Sequence, residues 1–231
     1  RSLNRPEFNP IGRKESGPLA RGGMRARITQ HTIPTEQRLQ SIAALQHMPV
    51  MAASPLLRNL LEDKAEDIRL VAFGMLDKEE KKIAKRIHAL NQQPVPTSAA
   101  KRYQREKQLA ELYWELTYSG LVYGDLRNYT LTHALSHAEA ALAVNNKAAG
   151  VNFLAGRILN ALGREEEAER RMHQAIELGI PKQRTQPYLA EFAFKRGDYQ
   201  STRQLLDNMH ASQLTPHLQP VVDYWAQRGV A

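Results

Sequence analysis

Residues 149–181 read AGVNFLAGRILNALGREEEAERRMHQAIELGIP and predict two helices joined by a tight turn. Apolar and small residues recur at helical spacing on both sides of Leu162-Gly163-Arg164, which gives each helix one apolar face. Pro181 ends the unit, because proline lacks an amide donor and clashes with the preceding turn of a helix. The stretch therefore predicts a helix pair that needs neighbours to bury its apolar faces.

Small residues stand where the two predicted helices cross. They are Gly156 in the first helix and Ala168 and Ala175 in the second. Two antiparallel helices pack closely only where a side chain is nearly absent, and this spacing resembles the tetratricopeptide repeat, whose period is about 34 residues. The resemblance implies further helix pairs of the same length on either side.

The pattern recurs in both directions along the chain. One period forward, Arg196-Gly197-Asp198-Tyr199 repeats the central turn. One period back, Ala134 and Ala138 occupy the corresponding positions of the second helix. The residues of the first helix there do not match the pattern, so we expect a longer loop through Arg127-Asn128-Tyr129. We predict three repeats, the first irregular, followed by a capping helix from Pro216 to Arg228.

The amino-terminal part predicts further helices. Pro34 to Gln46 forms a short helix with Thr35 as its cap, and Ser54 caps a leucine helix with Pro55 at the first helical position. Asp67-Ile68-Arg69 then begins another helix. A leucine helix, an acidic turn and Asp-Ile-Arg together resemble a single HEAT repeat.

Good helix formers dominate the composition, and alternating strand patterns are poor. The predicted fold is an all-α helical-repeat solenoid, with one HEAT-like helix pair, about three tetratricopeptide repeats and a capping helix. The two prolines within residues 91–98, one residue apart, disfavour helix, and this stretch marks the boundary between two helical parts of the chain. The predicted domains are residues 1–33, a basic leader; 34–90, the HEAT-like unit; 91–98, a Pro-rich linker; and 99–231, the repeat domain with its capping helix. Within the last, Ser98 caps a long helix from Ala99 to about Tyr123, with Trp114 in the core.

The formal net charge of +8 is concentrated at the amino terminus, where residues 1–30 carry seven basic and two acidic side chains. This leader has too little apolar surface to fold alone. It is a flexible tail, a juxtamembrane segment that attracts anionic lipid, or a nucleic-acid contact. Because the chain begins with Arg1 rather than methionine, we expect a soluble fragment or processed chain whose membrane anchor lies upstream.

The sequence holds no catalytic or cofactor motif. It has no cysteine, no phosphate-binding loop and no Gly-x-Ser-x-Gly, and its paired acids are better explained by salt-bridged faces. His133 and His137 have the spacing of two zinc ligands, but Ala134 replaces the glutamate of a zinc protease helix. We predict a non-enzyme with no cofactor, no metal and no small-molecule substrate, and ordinary packing or surface roles for both histidines.

What remains is a binding surface. In tetratricopeptide stacks the first helix of each pair lines a concave groove, and the resemblance implies such a groove here. The residues predicted to line it are Tyr123, Phe153, Arg157, Asn160, Arg184, Glu191 and Lys195. Their mixed charge does not reproduce the lysines and asparagines with which chaperone-binding repeats hold a terminal carboxylate, so we do not predict that ligand.

A second candidate surface lies on the helix predicted from Lys78 to Leu90. Its basic face consists of Lys81, Lys82, Lys85 and Arg86. Such a face either meets an anionic partner or is solvated, as the charged side of an amphipathic helix ordinarily is.

The order of a basic leader, a HEAT-like segment, a proline-rich break and tetratricopeptide repeats resembles the PelE family of the bacterial Pel exopolysaccharide machinery. Asp67-Ile68-Arg69, Phe73-Gly74-Met75-Leu76-Asp77 and Glu80-Lys81 carry the resemblance, which extends from about Met24 to Trp225. The family places membrane spans before its repeats, whereas no apolar run in this sequence approaches the roughly 20 residues that a spanning helix needs.

This resemblance implies a non-catalytic scaffold at the cytoplasmic face of the bacterial inner membrane. Its partners would be a cytosolic glycosyltransferase, a membrane receptor for cyclic di-GMP and the polysaccharide transporter. Two alternatives stay open: a soluble tetratricopeptide adaptor that binds a peptide, and a nucleic-acid binder that uses the leader and the basic face. Nucleic acid is not the expected partner, because stacking aromatics are almost absent from the leader.

Overall fold

The computed structural model describes residue 23, residues 26–48 and residues 50–206. Helices and short connections make up this part of the chain, with no strand among the described residues, which confirms the all-α prediction. The helices are α1 (Thr35–Ala43), α2 (Val50–Leu60), α3 (Glu66–Asn91), α4 (Ala99–Tyr118), α5 (Gly124–Val144), α6 (Ala149–Ala161), α7 (Glu165–Glu177), α8 (Lys182–Lys195) and α9 (Tyr199–Leu206), with a 3₁₀ turn at Ala44–His47 and further helical residues at 26–29.

Two sequence predictions fall outside the described residues. They are the leader up to residue 22 and the capping helix at residues 216–228. The described chain divides into two compact units between Glu79 and Glu80, within α3. The predicted domain boundaries at 33/34, 90/91 and 98/99 stay predictions. In the described ranges no helix combines the length and apolarity that a bilayer crossing requires.

The first unit is built around a small apolar core and one buried ion pair. The core comprises Ile28, Ile42, Leu45, Ala53, Leu57, Leu60, Ile68 and Ala72. The Arg38 guanidinium forms a bidentate ion pair with the Asp63 carboxylate, and its Nε donates a hydrogen bond to the Ile28 carbonyl oxygen at 2.8 Å. The Ala65 amide donates to Asp63 Oδ1 at 3.0 Å. Both charged side chains are almost fully buried, so each depends on the other for its solvation.

The ion pair changes the acidity of Asp63. Burial would raise the pKa of this carboxyl, but the hydrogen bonds from Arg38 and Ala65 outweigh burial and hold the pKa below its ordinary value of 3.8. The charged carboxylate therefore stabilises the fold above that pH, and the stabilisation is lost as the pH falls through the folded-state value.

The predicted caps of the first two helices are wrong. Pro34 holds the cap position of α1, and Thr35 is the first helical residue. Helix α2 begins at Val50, so Ser54 and Pro55 lie inside it. Ser54 is buried there. The apolar residues before Ser54 extend the helix backward, and this extension overrides the local preference for a serine cap.

The second unit stacks its helices in chain order. α4 packs on α5, α5 on α6, α6 on α7, α7 on α8 and α8 on α9, with a further contact between α4 and α6. The turns after α6 and α8 each contain a glycine with positive φ, Gly163 at 76° and Gly197 at 78°, a conformation that side-chain-bearing residues rarely adopt. These two glycines lie 34 residues apart, so the local geometry repeats with the sequence.

The connection before α5 differs from the prediction. α4 ends at Tyr118 rather than near Tyr123, and Gly120, with a φ of 64°, closes its carboxyl end. The predicted loop through residues 127–129 is wrong, because these residues belong to α5. The break comes earlier because Gly120 supplies the left-handed turn and the following Leu121 and Val122 are buried.

Gly156 permits the close approach of α6 and α7. A Cβ atom added there would lie 3.0 Å from Met172 Cε, 3.2 Å from Met172 Sδ and 3.3 Å from the Ala168 carbonyl oxygen. Ala168, Met172 and Ala175 are fully buried in the same core. The small residues of the predicted repeat are thus at the helix contact, as the pattern indicated.

We expect Arg38→Met to lower the free energy of unfolding at pH 7 by about 3–5 kcal/mol, because Asp63 is left buried without its partner. The difference from wild type should shrink as the pH falls from 7 to below about 4, since protonation of Asp63 removes first the isolated charge of the variant and then the ion pair of wild type. Urea unfolding followed by circular dichroism across this pH range measures both effects. The double variant Arg38→Met/Asp63→Leu should recover most of the loss, and a penalty independent of pH would contradict this account.

Gly156→Val should lower the free energy of unfolding by about 1–3 kcal/mol, because the added methyl groups meet Met172 and the Ala168 carbonyl. Gly150→Val is the matched control, since Gly150 also lies in α6 but an added Cβ there has open space. Thermal or urea unfolding compares the two variants, and equal stability would show that α6 and α7 tolerate a side chain at their contact.

Candidate functional site

Arg157 of α6 lies among aromatic rings from two helices. Its guanidinium carbon is 4.8 Å from the ring centre of Trp114, 4.6 Å from that of Tyr118 and 5.7 Å from that of Phe153. Arg184 of α8 covers Phe153 at 4.9 Å. These distances are within the range of attractive cation–π contacts. Together with Tyr188, these residues form what we call the arginine–aromatic cluster.

The rings of the cluster also contact each other. Trp114 and Tyr118, one turn apart at the end of α4, stack with centres 5.3 Å apart. Phe153 meets Tyr188 of α8 edge to face at 6.0 Å. Side chains of α4, α6 and α8 therefore converge on one surface, although these helices alternate with α5 and α7 in the chain.

The positive charge of the cluster is not balanced within the described chain. Neither Arg157 nor Arg184 forms an ion pair with a carboxylate of residues 26–48 or 50–206. Arg157 Nε is buried and has no hydrogen-bond partner among those residues. Burial raises the pKa of the Tyr188 hydroxyl, and the nearby charge of Arg157 opposes the rise. The guanidinium groups thus keep their capacity to bind an anion.

Asn160 adds an unsatisfied acceptor one turn beyond Arg157 on α6. Its Oδ1 atom is buried and accepts no hydrogen bond from the described part of the chain. Buried polar atoms are nearly always hydrogen-bonded, so this oxygen is suited to a donor from outside the described chain. Of the predicted groove residues, the structure therefore brings Phe153, Arg157 and Arg184 together, and Asn160 lies three residues after Arg157 on the same helix.

Glu191 and Lys195 are engaged elsewhere. Lys195 Nζ lies 3.1 Å from Glu191 Oε1 and 2.8 Å from Glu165 Oε1, which ties α8 to the beginning of α7. Burial would lower the pKa of Lys195, but the two carboxylates outweigh it and raise that pKa. Glu191 is only 4 % exposed. That both residues line a groove stays a prediction; the structure shows that they are joined with Glu165 in a partly exposed salt-bridge network.

The other predicted binding residues lie outside the cluster. Tyr123 precedes α5 and is 56 % exposed. Lys81, Lys82, Lys85 and Arg86 are all exposed on α3, a helix that contributes no side chain to the cluster.

His133 and His137 pack against aromatic side chains. Tyr113 stacks on both imidazoles, with ring centres 5.4 Å and 5.5 Å away, and Tyr129 contacts His133 at 4.2 Å. His137 Nδ1 lies 2.6 Å from Glu106 Oε2. Among the residues the structure describes, no three potential ligands of the His, Cys, Asp or Glu type are grouped to hold a metal ion. The contacts of the His133 and His137 side chains are therefore ring stacking and, for His137, the Glu106 carboxylate.

Sequence reasoning missed three members of the cluster. Trp114 was predicted as core, yet it is only partly buried, and Tyr118 and Tyr188 were not singled out. Tyr118 is 47 % exposed. A usable signal was present, because Tyr118, Phe153 and Tyr188 follow one another at intervals of 35 residues, close to the repeat length. Aromatic residues at that interval fall on α4, α6 and α8, the three helices that form the cluster.

Fold and site together define an all-helical protein with consecutively packed helices and an arginine–aromatic surface. Comparisons with protein-family models, with curated proteins and with solved structures find no match to this chain. The functional argument therefore depends on the residues and their geometry.

We expect a double-mutant cycle of Trp114→Leu and Arg157→Met to give a coupling free energy of about 0.5–2 kcal/mol, because the cation–π contact is partly desolvated. Urea unfolding of the four proteins measures it. Trp114→Leu combined with Arg170→Met, which removes an exposed arginine of α7, is the control and should be additive within about 0.5 kcal/mol. A coupling as small as in the control would mean that Arg157 and Trp114 are merely adjacent.

Proposed function

We propose that this protein is a non-catalytic scaffold that binds protein partners through the surface formed by α4, α6 and α8. The observation that carries the proposal is the arginine–aromatic cluster. Tyrosine, tryptophan and arginine are the residues that most often dominate protein–protein binding energy. Here they converge on one surface, and the two arginines lack a carboxylate partner in the described chain.

We further propose that the second unit consists of tetratricopeptide repeats. The pairs α4–α5, α6–α7 and α8–α9 would be three repeats, the first with an irregular connection, and the leucine helix α2 with α3 would be the HEAT-like pair. The spacing of the helix starts supports this proposal, because it is close to the repeat period. Helices α6 and α8 begin at Ala149 and Lys182, 33 residues apart, and α7 and α9 begin at Glu165 and Tyr199, 34 residues apart. In this architecture the first helices line the concave side, which is where the cluster would lie.

The particular scaffold that we propose is a member of the PelE family. It would sit at the cytoplasmic face of the bacterial inner membrane, anchored by a segment upstream of this chain. There it would hold a cytosolic glycosyltransferase, a cyclic di-GMP receptor and a polysaccharide transporter together, so that polymer synthesis and export are coupled. The sequence of α3 around Asp67-Ile68-Arg69, and the order of leader, helices, proline-rich break and repeats, support this proposal.

Affinity capture of the protein from its own cells, followed by mass spectrometry of the associated proteins, tests the proposal. Wild type should recover a glycosyltransferase and a polytopic transporter. Arg184→Met should reduce recovery of at least one of them, because it removes an exposed charge from the cluster and leaves an apolar side chain to cover Phe153. Arg170→Met, which removes an exposed charge from α7, should leave recovery unchanged.

The outcomes separate the alternatives. Recovery of unrelated soluble proteins in an Arg184-dependent way would replace the exopolysaccharide role with that of a general peptide-binding adaptor. Recovery of nucleic acid, with a steep dependence on salt, would favour the nucleic-acid alternative. Recovery of the expected partners by wild type and both variants alike would keep the scaffold and exclude the cluster as its binding surface.

A further inference from the structure

The charges around the cluster leave a net positive site. Glu191, the acidic residue predicted for the groove, is paired with Lys195, and Lys195 is also paired with Glu165. The mixed charge seen in the sequence is therefore neutralised internally. Arg157 and Arg184 remain as two guanidinium groups without a carboxylate partner in the described chain, and both lie against the ring of Phe153.

The rings around these arginines orient the guanidinium groups without neutralising them. A guanidinium that lies over an aromatic face keeps its N–H groups directed outward in its own plane, where they match the two oxygens of a carboxylate. Partial burial lowers the local dielectric and strengthens such a pair relative to one in water. An anion that reaches this site meets donors already held in place by Trp114, Tyr118 and Phe153.

We propose that the arginine–aromatic cluster binds an aspartate or glutamate side chain within an extended acidic segment of a partner protein. Arg157 and Arg184 bind the carboxylate, and the exposed part of Tyr118 packs against an apolar neighbour in the segment. This inference rests on the proposed scaffold function and specifies the chemistry of its partner.

A protein segment fits the site better than a nucleic acid. Bases bind single-strand sites by stacking on free aromatic faces. Here Trp114 and Tyr118 stack on each other, and Arg157 lies over both rings. The aromatic surface that stays available is limited to ring edges and the exposed side of Tyr118, which suits side-chain packing rather than base stacking.

The test is selection from a display library of random dodecapeptides, flanked by Gly-Ser segments so that no free terminal carboxylate is presented. The full chain serves as bait. Selected peptides should be enriched in Asp or Glu over the starting library. Resynthesised binders should lose at least about tenfold in affinity when the key acid becomes Asn or Gln, as expected for a charge-assisted hydrogen bond.

Protein variants locate the site. Arg184→Met, which changes an exposed side chain, should also weaken binding about tenfold, and Arg170→Met should not. Arg157→Lys should retain part of the affinity, because the charge stays but the planar fork is lost. Since Arg157 is partly buried, circular dichroism checks the fold of its variant. Binding to wild type should weaken as salt concentration rises.

Several outcomes would overturn the inference. Selected peptides without acidic enrichment, or acidic peptides indifferent to Arg184→Met, would exclude this carboxylate site while leaving the scaffold function intact. An oligonucleotide that displaces the peptides and depends on Arg184 would assign the cluster to nucleic acid. A selection that yields no peptide would exclude peptide binding here, and the capture experiment would then decide separately whether the protein is a scaffold.

Discussion

The close contact between α6 and α7 is the constraint on which the second unit depends. A Cβ atom at position 156 would lie 3.0 Å from Met172 Cε and 3.3 Å from the Ala168 carbonyl oxygen, so a side chain there would push α6 and α7 apart. Successive residues of a helix point in directions about 100° apart. While Gly156 faces α7, Arg157 contacts α4 and Phe153 contacts α8. The packing contact thus sets the position of the candidate site.

Some basic side chains of the second unit are paired with carboxylates, whereas the two arginines of the cluster have no such partner among the described residues. Most of the pairs lie near the ends of α7 and α8. Arg196 pairs with Glu169, Arg164 with Glu167, and Lys195 with Glu191 and Glu165. Most of these pairs are exposed and each contributes little to stability. Arg157 and Arg184 differ from these side chains because aromatic rings, rather than carboxylates, contact their guanidinium groups.

Much of this architecture could be predicted from the residues alone. Helical periodicity and the punctuation by Gly163, Gly197 and Pro181 predicted the helix pairs of the central region, and half of the cluster was named in advance. The failures are local and physical. Gly120 closes α4 before its apolar pattern ends, and the helix α2 extends back past the serine predicted to cap it. Both are helix ends, where backbone conformation and tertiary packing outweigh single-residue preferences.

The sequence by itself determined the all-helical class, the pairing of consecutive helices and the small residues at their contact, because these depend on interactions between residues that are close in the chain. Only the tertiary structure decided that Trp114 and Tyr118 meet Arg157, that Tyr188 meets Phe153, and that the acid predicted for the groove is neutralised within the fold. Those contacts join different helices, and their distances depend on how each helix pair rotates against the next, a quantity that no periodicity within one helix specifies.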